Sequence, residues 1–271
     1  MELRPTTDDD LQAMRDVFVA ATGELFGRHR LPAPAPSPAA FAAIQRHIAA
    51  TGRSVVAERD GRIEGFAAAL VRGEDWFLSS LFVRPETQAR GLGTQLLDAV
   101  WGDGQPRRRT ITDAFQPVSN ALYGRRGLIP VTPLLAFEGA PHDVRAAAEE
   151  APADLAAIDE AAYGFDRSPD HAYWERIARR TEWGDAYSYV FPGGDIGPVA
   201  GLSPLAAARA LAVELARAEG GVRVRVLGSA RELVRVALDA GLRLSPVAGF
   251  LLVSDGVEPP TALAPSGYAL F

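Results

Sequence analysis

The chain has 271 residues, and its content of 48% hydrophobic and 23% charged residues is typical of a globular protein rather than a disordered one. Its net charge of −6 argues against general nucleic-acid binding, which favours basic surfaces. The absence of cysteine excludes disulfides, thiolate metal ligands and cysteine nucleophiles.

The sequence shows no pattern of a membrane span or a secretion signal. No apolar run is long enough to cross a bilayer, and Met1–Asp10 is too polar and acidic for a signal peptide. Alanine and arginine are abundant and lysine is absent, which is typical of a bacterial genome with high GC content. We therefore expect a cytoplasmic bacterial protein that binds neither membranes nor nucleic acids.

The N-terminal part of the chain alternates helical and strand-like patterns. Leu11, Met14 and Val17 repeat at helical spacing after a run of aspartates that can cap a helix. Asp60-Gly61 is a tight-turn pair between two strand-like segments, and it predicts a hairpin. In order, the predicted elements are the strand Glu2–Pro5, a helix from Leu11, a proline-rich connector over residues 31–39, the helix Ala39–Ala50, and the strands Ser54–Glu58 and Ile63–Val71.

The segment Trp76–Trp101 predicts a strand, a glycine-containing turn and a helix. Trp76–Val83 is rich in aromatic and aliphatic residues, and the apolar residues of Thr94–Trp101 lie on one helical face. Gly91 and Gly93 would let backbone N–H groups face one point at the positive end of this helix, where phosphate groups bind. The alternative is that the two glycines only make a tight connection.

Three further elements follow this helix. They are the strand Arg107–Asp113, the helix Pro117–Arg125 and the strand Ile129–Glu138. Pro130 and Pro133 cannot donate a hydrogen bond to a neighbouring strand. We therefore expect the last strand to lie at a sheet edge or to contain a bulge.

Two segments of this region resemble motifs of the GCN5-related N-acetyltransferases (GNATs). In LFVRPETQARGLGTQLL, Gln88, Gly91 and Gly93 fill the Gln/Arg-x-x-Gly-x-Gly/Ala pattern of the loop that binds the acetyl-CoA pyrophosphate in that family. Residues 116–128 are similar to the family's Asn-Pro-…-Ala-x-Leu-Tyr-…-Gly-Phe stretch. The departures from that stretch are Gln116, Ser119 and Leu128.

This resemblance covers about residues 1–138 and implies an acetyl-CoA site there. The backbone N–H groups of seven residues would bind the pyrophosphate, namely Gln88, Ala89, Arg90, Gly91, Leu92, Gly93 and Thr94. The backbone of Leu81, Phe82 and Val83 would pair with the pantetheine arm, and an N–H near Phe82 or Val83 would polarise the thioester carbonyl. Asn120 would bond the pantetheine or the adenine side of the cofactor, or else would only cap its helix or lie on the surface.

The resemblance also implies that Tyr123 is the general acid that protonates the departing sulfur, because a phenol is protonated at neutral pH. The alternative is a tyrosine that only packs its ring. Arg107–Arg109 could meet the 3′-phosphate of coenzyme A, or could form a solvated entrance to their strand. The general base stays open, with ordered water as one alternative. The side-chain candidates are Glu24, His29, Asp75, Ser79, Ser80 and Asp113.

The second half predicts another series of helices and strands, which we interpret as a degenerate second copy of the same fold. The predicted helices are His142–Glu150, Ala153–Tyr163, Leu205–Glu219 and Ala230–Ala240, and the predicted strands are Tyr187–Phe191, Val222–Leu227 and Phe250–Ser254. Ile196–Pro204 lies where the strand and phosphate loop of this copy would be. Only Gly201 could serve as a glycine of such a phosphate loop, and Pro204 lacks an N–H group that could bind a phosphate. We therefore expect one acetyl-CoA site, in the first half.

Asp166–Trp174 is the most distinctive stretch of the second half. It could contribute acceptor contacts, with its carboxylates against an amine and Trp174 against an apolar or cationic group. Alternatively, it only begins a helix and places Trp174 in the core. The histidines are scattered and show no metal-ligand spacing.

Together these patterns predict an α/β (α+β) fold of two tandem GNAT-like domains, residues 1–138 and 145–271. Each would be a mixed sheet flanked by helices, and the second would lack the phosphate loop. We expect a metal-independent N-acetyltransferase, monomeric or homodimeric, that transfers acetyl from acetyl-CoA to a primary amine of a small molecule. The alternatives are a catalytically inactive acyl-CoA sensor or scaffold, and a protein or peptide N-acetyltransferase.

Overall fold

The computed structural model describes residues 1–88 and 91–271, which form two compact units, Met1–Arg109 and Thr110–Phe271. The first unit contains β1 (Glu2–Pro5), α1 (Leu11–Arg28), α2 (Pro38–Thr51), β2 (Gly52–Arg59), β3 (Arg62–Arg72), β4 (Asp75–Val83), α3 (Leu92–Trp101) and the start of β5 (Arg107–Asp113). Short 3₁₀ turns at Asp8–Asp10 and Pro85–Thr87 precede α1 and α3.

Strands β1 to β4 form an antiparallel sheet in chain order. The hairpin between β2 and β3 turns at Asp60 and Gly61, whose φ angles of 51° and 75° are left-handed, as a two-residue hairpin turn requires. The predicted hairpin is confirmed. Ser37 ends the proline-rich connector, and its hydroxyl accepts the N–H of Ala40 (3.2 Å), which caps α2.

Aromatic side chains hold the helices of this unit to its sheet. The ring of Phe82 on β4 lies 4.9 Å from that of Phe18 on α1 and 5.5 Å from that of Phe66 on β3, measured between centroids. The indole of Trp76 donates to the carbonyl of Val100 (2.8 Å), which joins β4 to α3. Both ends of β4 are therefore fixed by core contacts.

Strand β4 contains a bulge at Ser79. Ala68 of β3 pairs with Ser80 and Ala69 pairs with Leu78, so Ser79 has no residue opposite it. A bulge bends its strand and increases the local twist. The bend lies just before the segment that was predicted to face the pantetheine arm.

The second unit begins with the rest of β5. Its elements are α4 (Pro117–Gly124), β6 (Ile129–Gly139), α5 (Leu155–Tyr163), α6 (Ser168–Trp174), β7 (Arg179–Glu182), β8 (Ala186–Val190), β9 (Asp195–Gly201), α7 (Pro204–Arg217), β10 (Val222–Leu227), α8 (Arg231–Asp239), β11 (Arg243–Leu244), β12 (Gly249–Val253) and β13 (Leu263–Ala264). The strand order is β12, β6, β10, β9, β8, β7. Strands β9 and β10 are parallel and are joined through α7, whereas the other neighbours are antiparallel.

The two prolines of β6 lie in a half of the strand that has one paired neighbour. Residues 129–134 pair with β12, whereas residues 134–139 pair with β10. The pairing with β12 skips Val131, which forms a bulge beside Pro130. The expectation that Pro130 and Pro133 lie at an edge or a bulge is confirmed, because neither proline interrupts a ladder on both sides.

The helix predicted at His142–Glu150 is wrong. Residues 140–150 contain no helix. The N–H of His142 donates to the carbonyl of Ala240 (3.1 Å), and Ala151 forms a β-bridge with Trp183. These contacts at both ends override the helical propensity of the alanines between them.

The predicted domains, residues 1–138 and 145–271, stay predictions, as does the degenerate second copy. The two compact units divide the chain between Arg109 and Thr110, inside β5. Strand β6 ends the first predicted domain, yet it pairs with β10 and β12 of the second half. The long-range pairing of β6 is not visible in local periodicity.

Candidate active site

The turn between β4 and α3 carries the glycine motif. Gln88 lies at the start of this turn, and its side-chain amide donates to the carbonyl of Val83 (3.0 Å). The preceding residue, Thr87, is buried and its hydroxyl donates to the carboxylate of Glu64 on β3 (2.7 Å). These two bonds fix the end of β4 and the entry to the turn.

Gly91 stands at the N-terminus of α3. Its φ of 79° lies in the left-handed region that favours glycine, and a Cβ built there would meet no atom within 4 Å. Leu92 is buried and anchors the helix, so the N–H groups of Leu92 and Gly93 come before any intrahelical acceptor. Ala89 and Arg90 of the predicted loop lie outside the described residues.

This geometry fits a phosphate group. The positive end of a helix, two backbone donors without intrahelical acceptors and open space at Gly91 are the features of an anion site. The N–H of Thr94 donates to the carbonyl of Gly91 (3.1 Å), so Thr94 is less available than the residues before it. The assignment of Gln88–Thr94 to a pyrophosphate stays a prediction, and the described part of this turn supports it.

The turn between β9 and α7 in the second unit differs in each of these features. The hydroxyl of Ser203 accepts the N–H of Ala206 (3.2 Å), and Pro204 has no N–H to offer. At Gly201 a Cβ would lie 2.6 Å from the backbone nitrogen of Ala207, so packing requires this glycine. The N-terminus of α7 is therefore closed by its own residues, which supports the expectation of one acetyl-CoA site.

The residues predicted to face the pantetheine arm, Leu81, Phe82 and Val83, are the last three of β4 and pair with β3. The ring of Phe82 belongs to the aromatic core, and Val83 is buried. Their side chains therefore have a structural role. The predicted role concerns the backbone, which core packing does not prevent, and it stays a prediction.

Tyr123 lies on α4 and is only 4% exposed. Its phenol is hydrogen-bonded to Ser119, one helical turn earlier, and burial raises the pKa of Tyr123 above its usual value. The phenol therefore stays protonated at neutral pH, as a general acid must. Ser119 is also one of the departures from the family stretch, so this bond is a feature of the present chain.

Asn120 connects α4 to the end of β5. Its side-chain amide donates to the backbone carbonyls of Asp113 (3.1 Å) and Gln116 (2.8 Å). The side-chain oxygen of Asn120 is buried, and no described residue hydrogen-bonds to it. The amide nitrogen thus joins α4 to the end of β5, whereas the side chain of Gln116 caps the helix by accepting the N–H of Val118 (3.2 Å). The predicted bond between Asn120 and the cofactor stays a prediction.

Asp75 lies in a cluster of arginines. Arg107 contacts one oxygen of the buried carboxylate (2.7 Å), and Arg109 pairs with the other. Arg108 donates to two carbonyls at the C-terminal end of α3 (2.6 and 2.9 Å). The contacts of Asp75 are those of a structural ion cluster rather than of a base, and all three arginines contact protein groups within their own unit.

The remaining base candidates have distinct surroundings. Glu24 forms an exposed pair with Arg28, and His29 is exposed at the end of α1. Ser80 accepts a hydrogen bond from Gln45 (3.3 Å), and the buried hydroxyl of Ser79 has no partner among the described residues. Asp113 differs from these, because burial raises the pKa of its carboxyl to about 6.

Sequence reasoning missed two residues beside Asp113. Tyr268 hydrogen-bonds the carboxyl of Asp113, and its hydroxyl lies 2.7 Å from the position that a Cβ of Gly249 would occupy. Neither residue belongs to a periodic segment or to a motif. The sequence signal was therefore limited to a glycine at the start of a strand.

Part of Asp166–Trp174 lies in a buried polar network, whereas Asp166 and Ser168 are exposed. Arg167 donates to Asp170 (2.6 Å), and His171 contacts Asp159 (3.0 Å). Trp174 is only 1% exposed. The alternative that this stretch begins a helix and places Trp174 in the core is therefore favoured over acceptor binding.

Across residues 1–88 and 91–271, no group of three or more histidine or acidic side chains is arranged to hold a metal ion. Within the same ranges, no helix combines the length and the apolar character needed to cross a membrane.

Comparison with known proteins identifies a domain within the chain. Residues 50–127 match the family model of the acetyltransferase (GNAT) domain, a range that includes the glycine turn, Asn120 and Tyr123. A comparison with curated protein sequences finds no match.

Solved structures with the same fold extend over nearly the whole chain. A putative acetyltransferase from Pyrococcus horikoshii is 18% identical, with a TM-score of 0.80 over 100% of this chain and 95% of its own. A GCN5-related N-acetyltransferase from Sphaerobacter thermophilus is 19% identical, with a TM-score of 0.61 over 93% of this chain and 95% of its own. A GCN5-related glucosamine N-acetyltransferase region of a fungal multi-domain β-N-acetylglucosaminidase is 14% identical, with a TM-score of 0.64 over 93% of this chain and 38% of its own. At these sequence identities, the structural similarity shows the fold alone, which is the mixed α/β fold of GNAT acetyltransferases.

Proposed function

We propose that this GNAT-fold protein is an N-acetyltransferase that moves an acetyl group from acetyl-CoA to a primary amine of a small molecule. The observation that carries the proposal is the open N-terminus of α3 at Gly91, which lies inside the segment that matches the GNAT domain. An anion site at this position suits a nucleotide diphosphate.

Cofactor binding, polarisation of the carbonyl and protonation of the leaving group each have a group in the chain. Acetyl-CoA supplies an activated acyl group as a thioester. The backbone N–H groups of Gln88–Thr94 hold its pyrophosphate, and an N–H near Phe82 or Val83 donates to the carbonyl oxygen, where negative charge develops. Tyr123 gives its proton to the departing sulfur, because burial keeps the phenol protonated at neutral pH.

The binding half of the proposal is tested with two matched glycine variants. Gly91 and Gly104 are both exposed, both have left-handed φ angles of 79° and 82°, and both have open space at the Cβ position. Gly91→Asp places a carboxylate where the pyrophosphate would bind, so we expect calorimetry to show an affinity for acetyl-CoA that is lower by about tenfold or more. Gly104→Asp adds the same strain and charge elsewhere and leaves the affinity unchanged. Equal binding by wild type and Gly91→Asp would contradict the site assignment.

The catalytic half is tested by thiol release from acetyl-CoA with a panel of amines. The chain contains no cysteine, so a thiol reagent reports only free coenzyme A. We expect Tyr123→Phe to reduce turnover by about 10²-fold or more without changing acetyl-CoA affinity. Ser119→Ala, which restores the alanine usual in the resembled family, should keep most of the turnover. Tight binding of acetyl-CoA without turnover on any amine would favour the sensor or scaffold alternative instead.

A further inference from the structure

Asp113 occupies a fixed position at the end of β5, within the second unit. Its carbonyl accepts the N–H of Gln116 (3.1 Å), and the N–H of the next residue, Ala114, donates to the carbonyl of Ala248 (2.9 Å). The residue is partly buried. Backbone bonds on both sides therefore fix the main chain from which the carboxyl projects.

The carboxyl of Asp113 lacks a cationic partner among the described residues. The contacts of the buried carboxylates Asp75, Asp170 and Glu214 are different, because each pairs with at least one arginine. The group that faces Asp113 is the phenol of Tyr268, which is neutral at physiological pH. A carboxylate that is held by a neutral donor keeps its basicity, whereas an arginine would remove it.

The contact between Asp113 and Tyr268 depends on Gly249. The Tyr268 hydroxyl lies 2.7 Å, and the carbonyl oxygen of Thr112 lies 3.0 Å, from the position that a Cβ of Gly249 would take. Any side chain on residue 249 would displace the phenol. Apart from Asp113, the charged group that acts on Tyr268 is Arg225 on β10, and Arg225 is itself paired with Asp195 (3.1 Å).

Asp113 is also connected to the helix that carries the proposed general acid. The side-chain amide of Asn120 donates to the carbonyl of Asp113 (3.1 Å). Asn120 and Tyr123 are three residues apart on α4, so they lie on the same helical face. Burial raises the pKa of the Asp113 carboxyl to about 6 although the hydrogen bond from Tyr268 lowers it, and burial also raises the pKa of Tyr123. A base and an acid whose pKa values are set this far apart form a suitable pair for proton transfer.

We propose that Asp113 is the general base of the acetyl transfer and that Tyr268 is the residue that positions its carboxylate. The inference rests on the proposed function. The acceptor is then an amine that reaches the site as an ammonium ion, and the Asp113 carboxylate takes one of its protons and later releases it to solvent. The neutral nitrogen forms the new C–N bond as the C–S bond breaks. The second proton that the nitrogen loses replaces the one that Tyr123 gives to the sulfur.

The kinetic test compares Asp113→Asn, Tyr268→Phe and the control Asp239→Asn, a change of an exposed aspartate on α8. In the wild type, kcat/KM should rise with pH through a midpoint near 6, where Asp113 loses its proton. Asp113→Asn should lower kcat/KM by about 10²-fold or more and remove this midpoint. Tyr268→Phe should move the midpoint to higher pH, because the hydrogen bond that lowers the pKa of Asp113 is lost. The control should match the wild type.

A second readout does not depend on turnover. With carboxyl-labelled aspartate, an NMR titration of the protein without substrate should show one aspartate carboxyl with a titration midpoint near pH 6. This titration should be missing in Asp113→Asn, and its midpoint should move to higher pH in Tyr268→Phe. An Asp113 midpoint near 4 would overturn the proposal, and so would full activity of Asp113→Asn with an unchanged midpoint. If the wild type fails to bind acetyl-CoA, the proposed function fails instead, and the calorimetry separates these two results. Thermal melting of each variant shows whether it is folded.

Discussion

Asp10 shows how one buried carboxylate joins the start of the chain to the first sheet and the first helix. Its two oxygens accept from both terminal nitrogens of Arg4 on β1 (2.7 and 2.8 Å) and from the backbone N–H of Thr7 (2.8 Å). Arg4 also pairs with Glu58 on β2. The hydrogen bond from Arg4 is the main reason that the pKa of Asp10 falls to about 2.

Asp10→Asn should therefore lower the free energy of unfolding at pH 7 by about 1–2 kcal/mol, since solvent screens the partly exposed Arg4. The folded pKa is below the unfolded value of 3.8, so this stabilisation is present above pH 4 and disappears as the pH falls through about 2. Urea unfolding of the wild type and of Asp10→Asn at pH 7 and pH 2.5 measures the difference in their free energies of unfolding. A difference that does not shrink at the lower pH would contradict an electrostatic origin.

Candidate site residues could be located from the sequence where they belong to a local motif. The turn at Gly91 and the helix with Tyr123 were located from spacing alone. The contact of Tyr268 with Asp113 could not be predicted, because the two residues are more than 150 positions apart in the sequence. Asp75 had no local signal for its arginine partners on β5, so it was kept as a base candidate until the ion pairs were visible.

At the scale of elements, patterns predicted most helices and strands, and they failed where distant contacts decide. The hairpin at Asp60-Gly61 and the helices α7 and α8 agree with their periodicity. The bulge at Ser79 was not predicted, because a bulge leaves the alternation of a short strand almost unchanged. The segment 142–150 was predicted as a helix because alanine favours helices wherever no competing contact is known.

The two strand-to-helix turns give a prediction about glycine. Gly201→Ala would place its Cβ 2.6 Å from a backbone nitrogen of α7, so we expect a loss of about 2–3 kcal/mol in the free energy of unfolding. Gly91→Ala meets no atom within 4 Å and should cost about 1 kcal/mol through its left-handed φ alone. Urea denaturation of the two variants compares them directly. Equal losses would show that the β9–α7 turn is as open as the β4–α3 turn.

At the scale of the whole molecule, the sequence predicted the fold class, whereas the pairing partners of each strand are not visible in local patterns. Strand β6 covers the predicted boundary at residue 138 with its last two residues, and local patterns place nearly all of it in the first domain. Its register joins residues 134–139 to β10 and residues 129–134 to β12. Pairing between strands that are far apart in sequence depends on side-chain fit and loop closure, which periodicity does not report.

A fragment of residues 1–138 tests whether β6 is stable without its partner strands from the second half of the chain. In the full chain, Leu134 and Phe137 of β6 are 1% and 2% exposed, and both edges of the strand find partners only after residue 221 among the described residues. The fragment would expose these side chains and an unpaired strand, so we expect it to aggregate or to unfold without cooperativity. Size-exclusion chromatography and urea unfolding, with the full chain as the control, measure this. A monomeric fragment that unfolds cooperatively would instead support an independent domain over residues 1–138.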